Sequence, residues 1–246
     1  MRVALISDIH GNAVALEAVY QEIKKASVDA IICLGDVASL GPEPARTIQM
    51  VKEIADVTIT GNHEIALLEP NRMKEMHIAG PISSNLDWCR SILSDEDFSF
   101  LGSFSSTYDM ELSDSITLSA YHGTPNSVVG VLEPTSDLEA LESQLSGSAR
   151  IFAGGHIHLQ FLRSWNGAAV MNPGSLGCPF STTPMPDGSP RALPWAEYAT
   201  VTARGSNHSI ELRRAYFSIE EAIATLSKSD LPMKEWMIGQ YRSAAR

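Results

Sequence analysis

Three short apolar runs within the first 64 residues constrain the fold more than any other feature of the chain. They are RVALIS (2–7), DAIICLGD (29–36) and the start of DVTITGNHE (56–64), whose strand is expected to end in a glycine turn. Continuous runs of this kind form strands buried on both faces. Two amphipathic stretches separate them. In NAVALEAVYQEIKKA (12–26) apolar residues recur at 16, 19, 20 and 23 behind Asn12, a good N-cap, and PEPARTIQMVKEIA (42–55) opens on prolines. The resulting βαβαβ order predicts a parallel core with right-handed crossovers.

The pattern turns helical from about 65 to 103. PISSNLDWCRSIL carries an apolar stripe at 82, 86, 89 and 93, and Ser94 followed by DED predicts the cap and acidic first turn of another helix. Strands are expected again at SITLSAYHG (115–123), then a helix across 136–145, then strands at 150–153, 159–165 and 168–172. The proline-rich stretch 173–194 is expected as a surface loop. YATVTA and SIELRRAYF alternate well enough for a final hairpin, with helices at 218–227 and near the C-terminus. With no internal repeat or linker, residues 1–246 are expected to form one domain.

Composition excludes several classes. No apolar run reaches the length of a membrane span, and the apolar stretch at the N-terminus is too short for a signal peptide. Cys33, Cys89 and Cys178 are scattered, which argues against a disulfide framework or a thiolate zinc site and for the cytoplasm. A net charge of −11 argues against coating nucleic acid. It leaves phosphate-bearing substrates open, because a bound metal can reverse the local charge.

Each candidate strand runs into a loop holding ligand-type residues. SDIHG supplies Asp8 and His10, LGDV Asp36, TGNHE Asn62 and His63, YHGTP His122, and GGHIHL His156 and His158. In open α/β sheets, sites form beyond the carboxyl ends of the strands, so these distant loops are expected to converge. Only His77 and His208 of the seven histidines fall outside them. The spacing in GHIH puts both rings on one face of an extended chain. Cys178 is read as packing, and Arg213 and Arg214 as the polar face of a strand.

Taken in order, D-x-H, G-D, G-N-H-E, H and G-H-x-H resemble the signature of the calcineurin-like metallophosphoesterases. LGDVASLGPEP, HGTP, MNPGSLGCP and ELRRAYF resemble the small prokaryotic branch of that superfamily, and the resemblance spans nearly the whole chain. It implies a four-layer α/β fold, with two mixed β-sheets packed as a sandwich, flanked by helices, and a helical insert near 65–103. It also implies two adjacent divalent ions about 3.5–4 Å apart. Manganese or iron is the first expectation, and zinc, nickel and cobalt suit the same oxygen and imidazole donors. By this resemblance Asp8, His10, Asp36 and His158 hold one ion. Asp36, Asn62, His122 and His156 hold the other, and Asp36 bridges. A hydroxide bridging the ions is the implied nucleophile, and His63 the general acid for the leaving group. Glu64 is read as a solvated first-turn glutamate. The charges of two ions, less those of Asp8, Asp36 and the hydroxide, leave one positive charge for a phosphodiester anion.

The chain departs from one branch. Where protein Ser/Thr phosphatases and symmetrical dinucleoside tetraphosphatases follow G-D with an Asp-Arg-Gly whose arginine meets phosphate, VASLGPEP follows Asp36 here. The expected substrate is therefore a small phosphodiester or nucleotide-type ester, with no membrane or nucleic-acid partner. The rivals are a dinucleoside polyphosphate hydrolase, a metal-dependent nuclease and a non-enzymatic metal-binding scaffold. The insert and the loop 179–194 are candidate cleft walls. Trp88, Trp165, Trp195 and Arg191 are candidate substrate contacts, against a plainer reading of packing for the tryptophans and solvent for the arginine.

Overall fold

Strand β1 (Arg2–Ile6) faces two ways, and that division sets the layers. Val3 and Leu5 enter an apolar layer shared with Leu118, Ala120, Ile151 and Ala153 of a second sheet. Ala4 and Ile6 meet Leu16, Val19 and Ile48 from covering helices. A period of two along a strand requires this once both faces are covered. Each Leu or Ile buried there contributes about 1.5–3 kcal/mol relative to an exposed one.

The computed structural model describes residues 1–181, 183 and 191–244. In the first sheet, β2 (Ala30–Cys33) runs parallel to β1, and β3 (Val57–Thr58) parallel to β2. On the other side of β1, β9 (Ala196–Arg204) and β10 (Asn207–Ala215) form the expected antiparallel hairpin, giving the order β10-β9-β1-β2-β3. The second sheet has parallel β5 (Ile116–Tyr121), β6 (Ile151–Ala153) and β8 (Ala168–Asn172). Antiparallel β4 (Thr107–Ser113) and β7 (Phe161–Trp165) form its edges. Both sheets are mixed, and they enclose a shared apolar core.

Helices α1 (Ala13–Ala26), α2 (Pro44–Ile54), α3 (Asn62–Leu68), α4 (Pro81–Ile92) and α5 (Asp95–Leu101) supply the layer over the first sheet. Helix α6 (Leu138–Gln144) covers the second, where Leu141 and Leu145 meet Tyr121, Phe152 and Val170. Helices α7 (Ile219–Lys228) and α8 (Lys234–Ala244) pack on each other around Leu226, Met237 and Ile238. Asn12 and Ser94 cap α1 and α5 as expected. None of the described helices is long and apolar enough to cross a membrane.

Two elements differ from the sequence reading. The third strand is shorter than expected: β3 stops at Thr58, and beyond the glycine turn Asn62, His63 and Glu64 form the first turn of α3. Strand β4 has no counterpart in the sequence reading. It is a mostly exposed edge in which only Leu112 is buried, although Tyr108, Met110 and Leu112 alternate with polar residues, a period-two signal that the sequence reading passed over.

Candidate metal centre

The loops that follow β1, β2, β3, β5 and β6 meet at one end of the sandwich. Backbone bonds continue the β1–β2 contact beyond the strands: Asp8 N donates to Gly35 O (3.0 Å) and His10 N to Asp36 O (2.9 Å). The MNPGSLGCP segment braces the same loop from the other side. Leu176 N donates to Ser7 O (2.9 Å), Gly177 N to Asp8 O (3.0 Å), and Ser175 Oγ to Asp8 O (2.8 Å). Gly155 is needed for space, since a Cβ there would lie 2.0 Å from Ser7 Oγ and 2.8 Å from Asp8 Oδ2.

Two sets of side chains result. Asp8, His10 and His158 form one, and Asp36, His122 and His156 the other, with candidate ligand atoms within 4.8 Å of one another in each set. His10, Asp36 and His63 satisfy the same criterion, so Asp36 belongs to both of the last two groupings. Its Oδ2 lies 3.4 Å from His122 Nε2, 3.8 Å from His10 Nε2 and 3.9 Å from His63 Nε2. Asn62 joins the second set, with Oδ1 3.1 Å from His122 Nε2. All seven residues expected as ligands, and His63, therefore converge.

The buried donors and acceptors around these side chains test whether cations fit. His122 Nδ1 donates to Leu34 O (2.7 Å), and His158 Nδ1 donates to Cys178 O (2.8 Å). In its neutral form each ring therefore turns the lone pair of its Nε2 inward. The His122 lone pair faces Asn62 Oδ1, itself an acceptor because the Asn62 amide NH₂ donates to Met76 O (3.0 Å). The His158 lone pair faces His10 Nε2 at 2.9 Å and Asp8 Oδ1 at 3.4 Å. Asp8 Oδ1 is buried without a hydrogen-bond partner. With the imidazoles unprotonated, so many acceptors in a buried space call for positive charge among them, supplied by protons or by cations. Oxygen and imidazole donors of this kind suit a divalent transition metal.

The electrostatics agree. Burial works against the charged forms of Asp8 and Asp36, yet His158 holds Asp8 down at about 2 and His122 holds Asp36 well below the usual carboxylate range. Burial pulls His156 down to about 4 and lowers His10 and His63. Burial acts the same way on His122 and His158. There, neighbouring Asp36 and Asp8 more than offset it, raising His158 and carrying His122 to about 10.

Glu64 corrects the sequence reading. It is fully buried, not solvated. Its carboxylate accepts from Asp36 N (2.7 Å), Val37 N (2.8 Å) and Gly61 N (2.8 Å), which ties the Asp36 loop to the start of α3. Burial and then the Asp36 charge push it up to about 7, against the three N–H donors that favour its ionised form. Ser39 is a second residue that the sequence reading missed: its hydroxyl meets His63 Nδ1 at 2.7 Å.

The GHIH segment also differs in its cause. His156 and His158 have φ of +70° and +56°, so the chain is not extended there and the period-two argument does not apply. Asp8 (+53°), His10 (+49°) and Asp36 (+55°) share this left-handed backbone, which costs each residue roughly 1 kcal/mol or more. The two rings of GHIH point to different sets: His156 to Asp36 and His122, His158 to Asp8 and His10.

A cavity of about 340 Å³ opens over the cluster. His10, Asp36, Asn62, His63, His156 and His158 form its floor. Ile82 of the helical insert and Phe180 of the 179–194 loop contribute to its walls, as anticipated. Residues 182 and 184–190 of that loop lie outside the described residues. None of Trp88, Trp165, Trp195 and Arg191 lines the cavity. Trp88 packs against core clusters, Trp165 meets Phe152, and Arg214 lies over Trp195. The tryptophan at the cleft is Trp236 of α8, beside Met233 and Met237. No motif marks these residues, which reach the cleft only through packing of the C-terminal helices.

The sandwich and its Asp/His cluster define a calcineurin-like phosphoesterase. Residues 1–186 match the model of the calcineurin-like phosphoesterase superfamily domain, and the chain belongs to that family. Membership supports a phosphoric-ester hydrolase, and the residue sets above support binding of divalent metal. Among individual proteins, the chain is 25% identical to the uncharacterized protein MJ0912 of Methanocaldococcus jannaschii over 96% of this chain and 95% of that one. A metallophosphoesterase from Sphaerobacter thermophilus shares the fold with a TM-score of 0.72 and 22% identity, over 99% of this chain and all of that one. The hypothetical protein PH1004 from Pyrococcus horikoshii OT3 does so with a TM-score of 0.75 and 14% identity, over 97% and 96%.

Proposed function

We propose that the protein hydrolyses a small phosphodiester or nucleotide-type phosphate ester at a binuclear metal centre. Asp8, His10, Asp36 and His158 hold one ion, and Asp36, Asn62, His122 and His156 the other. Manganese or iron is the first choice for both. The observation that carries this reading is the position of the Asp36 Oδ2 atom, 3.4 Å from His122 Nε2 and 3.8 Å from His10 Nε2, between the two sets. When bound, a pair of divalent ions supplies an activated water and charge neutralisation for the phosphoryl oxygens.

The chain's own residues supply the rest. The Leu34 and Cys178 carbonyls fix the tautomers of His122 and His158, and Glu64 fixes the Asp36 loop through its three backbone N–H groups. His63 is the proton donor to the leaving alkoxide. It lines the cavity floor, and Ser39 Oγ lies 2.7 Å from its Nδ1, so that a hydroxyl donating there would leave the ring proton on Nε2.

Elemental analysis of the purified chain and of Asp36→Asn tests the centre, together with hydrolysis of bis(p-nitrophenyl) phosphate with manganese added. Two ions per chain and turnover are expected for the wild type, and loss of both ions for the variant. Unchanged two-ion stoichiometry in Asp36→Asn refutes the bridge, and full occupancy without turnover of any ester refutes the enzyme.

A further inference from the structure

The metal-facing floor and the walls of the cleft differ in chemistry. Above the Asp and His floor, the walls are Leu40, Ile82, Phe180, Met233, Trp236 and Met237, with Cys178 beside them. No Lys or Arg lines the cavity among the described residues. A substrate with several phosphates therefore has one place for one phosphoryl group and no cationic side chain for the others. Burying a second anion against thioether and aromatic groups is strongly unfavourable without a partner.

The walls carry a positive signal as well. Phe180 lies stacked on His158 with ring centroids 5.3 Å apart and planes 10° from parallel, which extends a flat surface from the floor up the wall. Trp236 lines the same cavity and is 42% exposed although it is the largest apolar side chain there. Met233 and Met237 flank it, and thioethers make favourable contacts with aromatic rings. A cavity of about 340 Å³ is ample for one substituted ring beside a phosphoryl group.

We propose that the substrate is a phosphodiester monoanion bearing an uncharged aromatic group, which seats against Phe180 and Trp236, and that esters with additional phosphates are excluded. This rests on the phosphoesterase reading above and narrows it. Trp236 is the residue that sets the preference.

The test uses the manganese-loaded protein and measures binding by calorimetry beside competitive inhibition of bis(p-nitrophenyl) phosphate hydrolysis. The probes are diphenyl phosphate, dibutyl phosphate, dimethyl phosphate and diadenosine tetraphosphate. Diphenyl phosphate is expected to bind at least about tenfold more tightly than dimethyl phosphate, the scale of selectivity that apolar pockets deliver. It is also expected to bind more tightly than the dibutyl ester and the tetraphosphate. Trp236→Ala, a change at a partly exposed position, should remove most of the tenfold preference, leave the affinity for inorganic phosphate within twofold, and be rescued by Trp236→Phe. Tightest binding by the tetraphosphate or the dibutyl ester overturns the proposal, as does an unchanged ranking in Trp236→Ala. A chain that shows the expected ranking by calorimetry but hydrolyses nothing refutes the enzyme reading and leaves the aromatic seat standing.

Discussion

Gly61→Ala is the most informative single change. The residue has φ of −95°, which any amino acid adopts, so the glycine is there for space. A Cβ at this position would lie 2.1 Å from Asp36 Oδ1, 2.8 Å from Asp36 N and 2.8 Å from Glu64 Oε2. Real Cβ atoms essentially never approach within 3.0 Å, so the Asp36 carboxylate must shift by about 0.9 Å to reach that limit. It has little room to do so, because the same Oδ1 accepts from His63 N at 3.0 Å. Overpacking of this kind costs about 1–3 kcal/mol. At roughly 2–4 °C per kcal/mol for a chain of this size, the melting temperature falls by about 2–12 °C. Misplacing a reacting group by about 1 Å lowers rate by about 10²-fold, so kcat/KM should fall by that order and metal occupancy with it. Calorimetric melting, elemental analysis and diester hydrolysis read the three effects. Gly239→Ala serves as the control. Its Cβ meets no atom within 4 Å, and inside α8 it should stabilise by about 0.5–1 kcal/mol. A Gly61→Ala protein that melts with the wild type, keeps its metal and hydrolyses at full rate would show that the position of Asp36 does not govern the centre.

Two further outcomes follow from the same geometry. His63→Ala should retain two ions per chain and lose activity mainly toward esters with poor leaving groups, measured across a series of phenols and alcohols; equal loss for good leaving groups would exclude proton donation. Removing metal with a chelator should lower the melting temperature, because ions at about 100 times their Kd stabilise the folded chain by about 2.7 kcal/mol per site, or roughly 5–11 °C per site; an unmoved transition would show that these side chains hold no ion.

Much of the scaffold was legible because burial on both faces leaves a continuous apolar run, as in β1, β2 and β6, and because each such strand stops on a polar ligand type. What escaped the sequence reading has a physical cause in each case. Strand β4 pairs with β5 at an edge and buries only Leu112, and its alternation of Tyr108, Met110 and Leu112 with polar residues was the signal available. Glu64 follows two residues of metal-site type and looks solvated by position in a helix, yet its N3 place behind a Gly61 cap lets it reach back to three backbone N–H groups. A glutamate three residues after the capping glycine was the available signal. Trp236, Met233 and Met237 reach the cleft through the packing of α7 and α8, a long-range contact that no local pattern reports. The GHIH pair was found by an argument about extended chain that its left-handed backbone does not obey.

That left-handed backbone changes how substitutions at the cluster are to be interpreted. At residues 8, 10, 36, 156 and 158 the path of the main chain selects among amino acids before any coordination chemistry does. Asparagine and aspartate tolerate this conformation, whereas valine, isoleucine and threonine resist it. An inactive His156→Val protein would thus confound a missing imidazole with a loop forced off its course, while His156→Asn removes the ring and keeps the path. The same distortion is settled when the chain folds, so an incoming cation meets donors already held in position and need not order them itself.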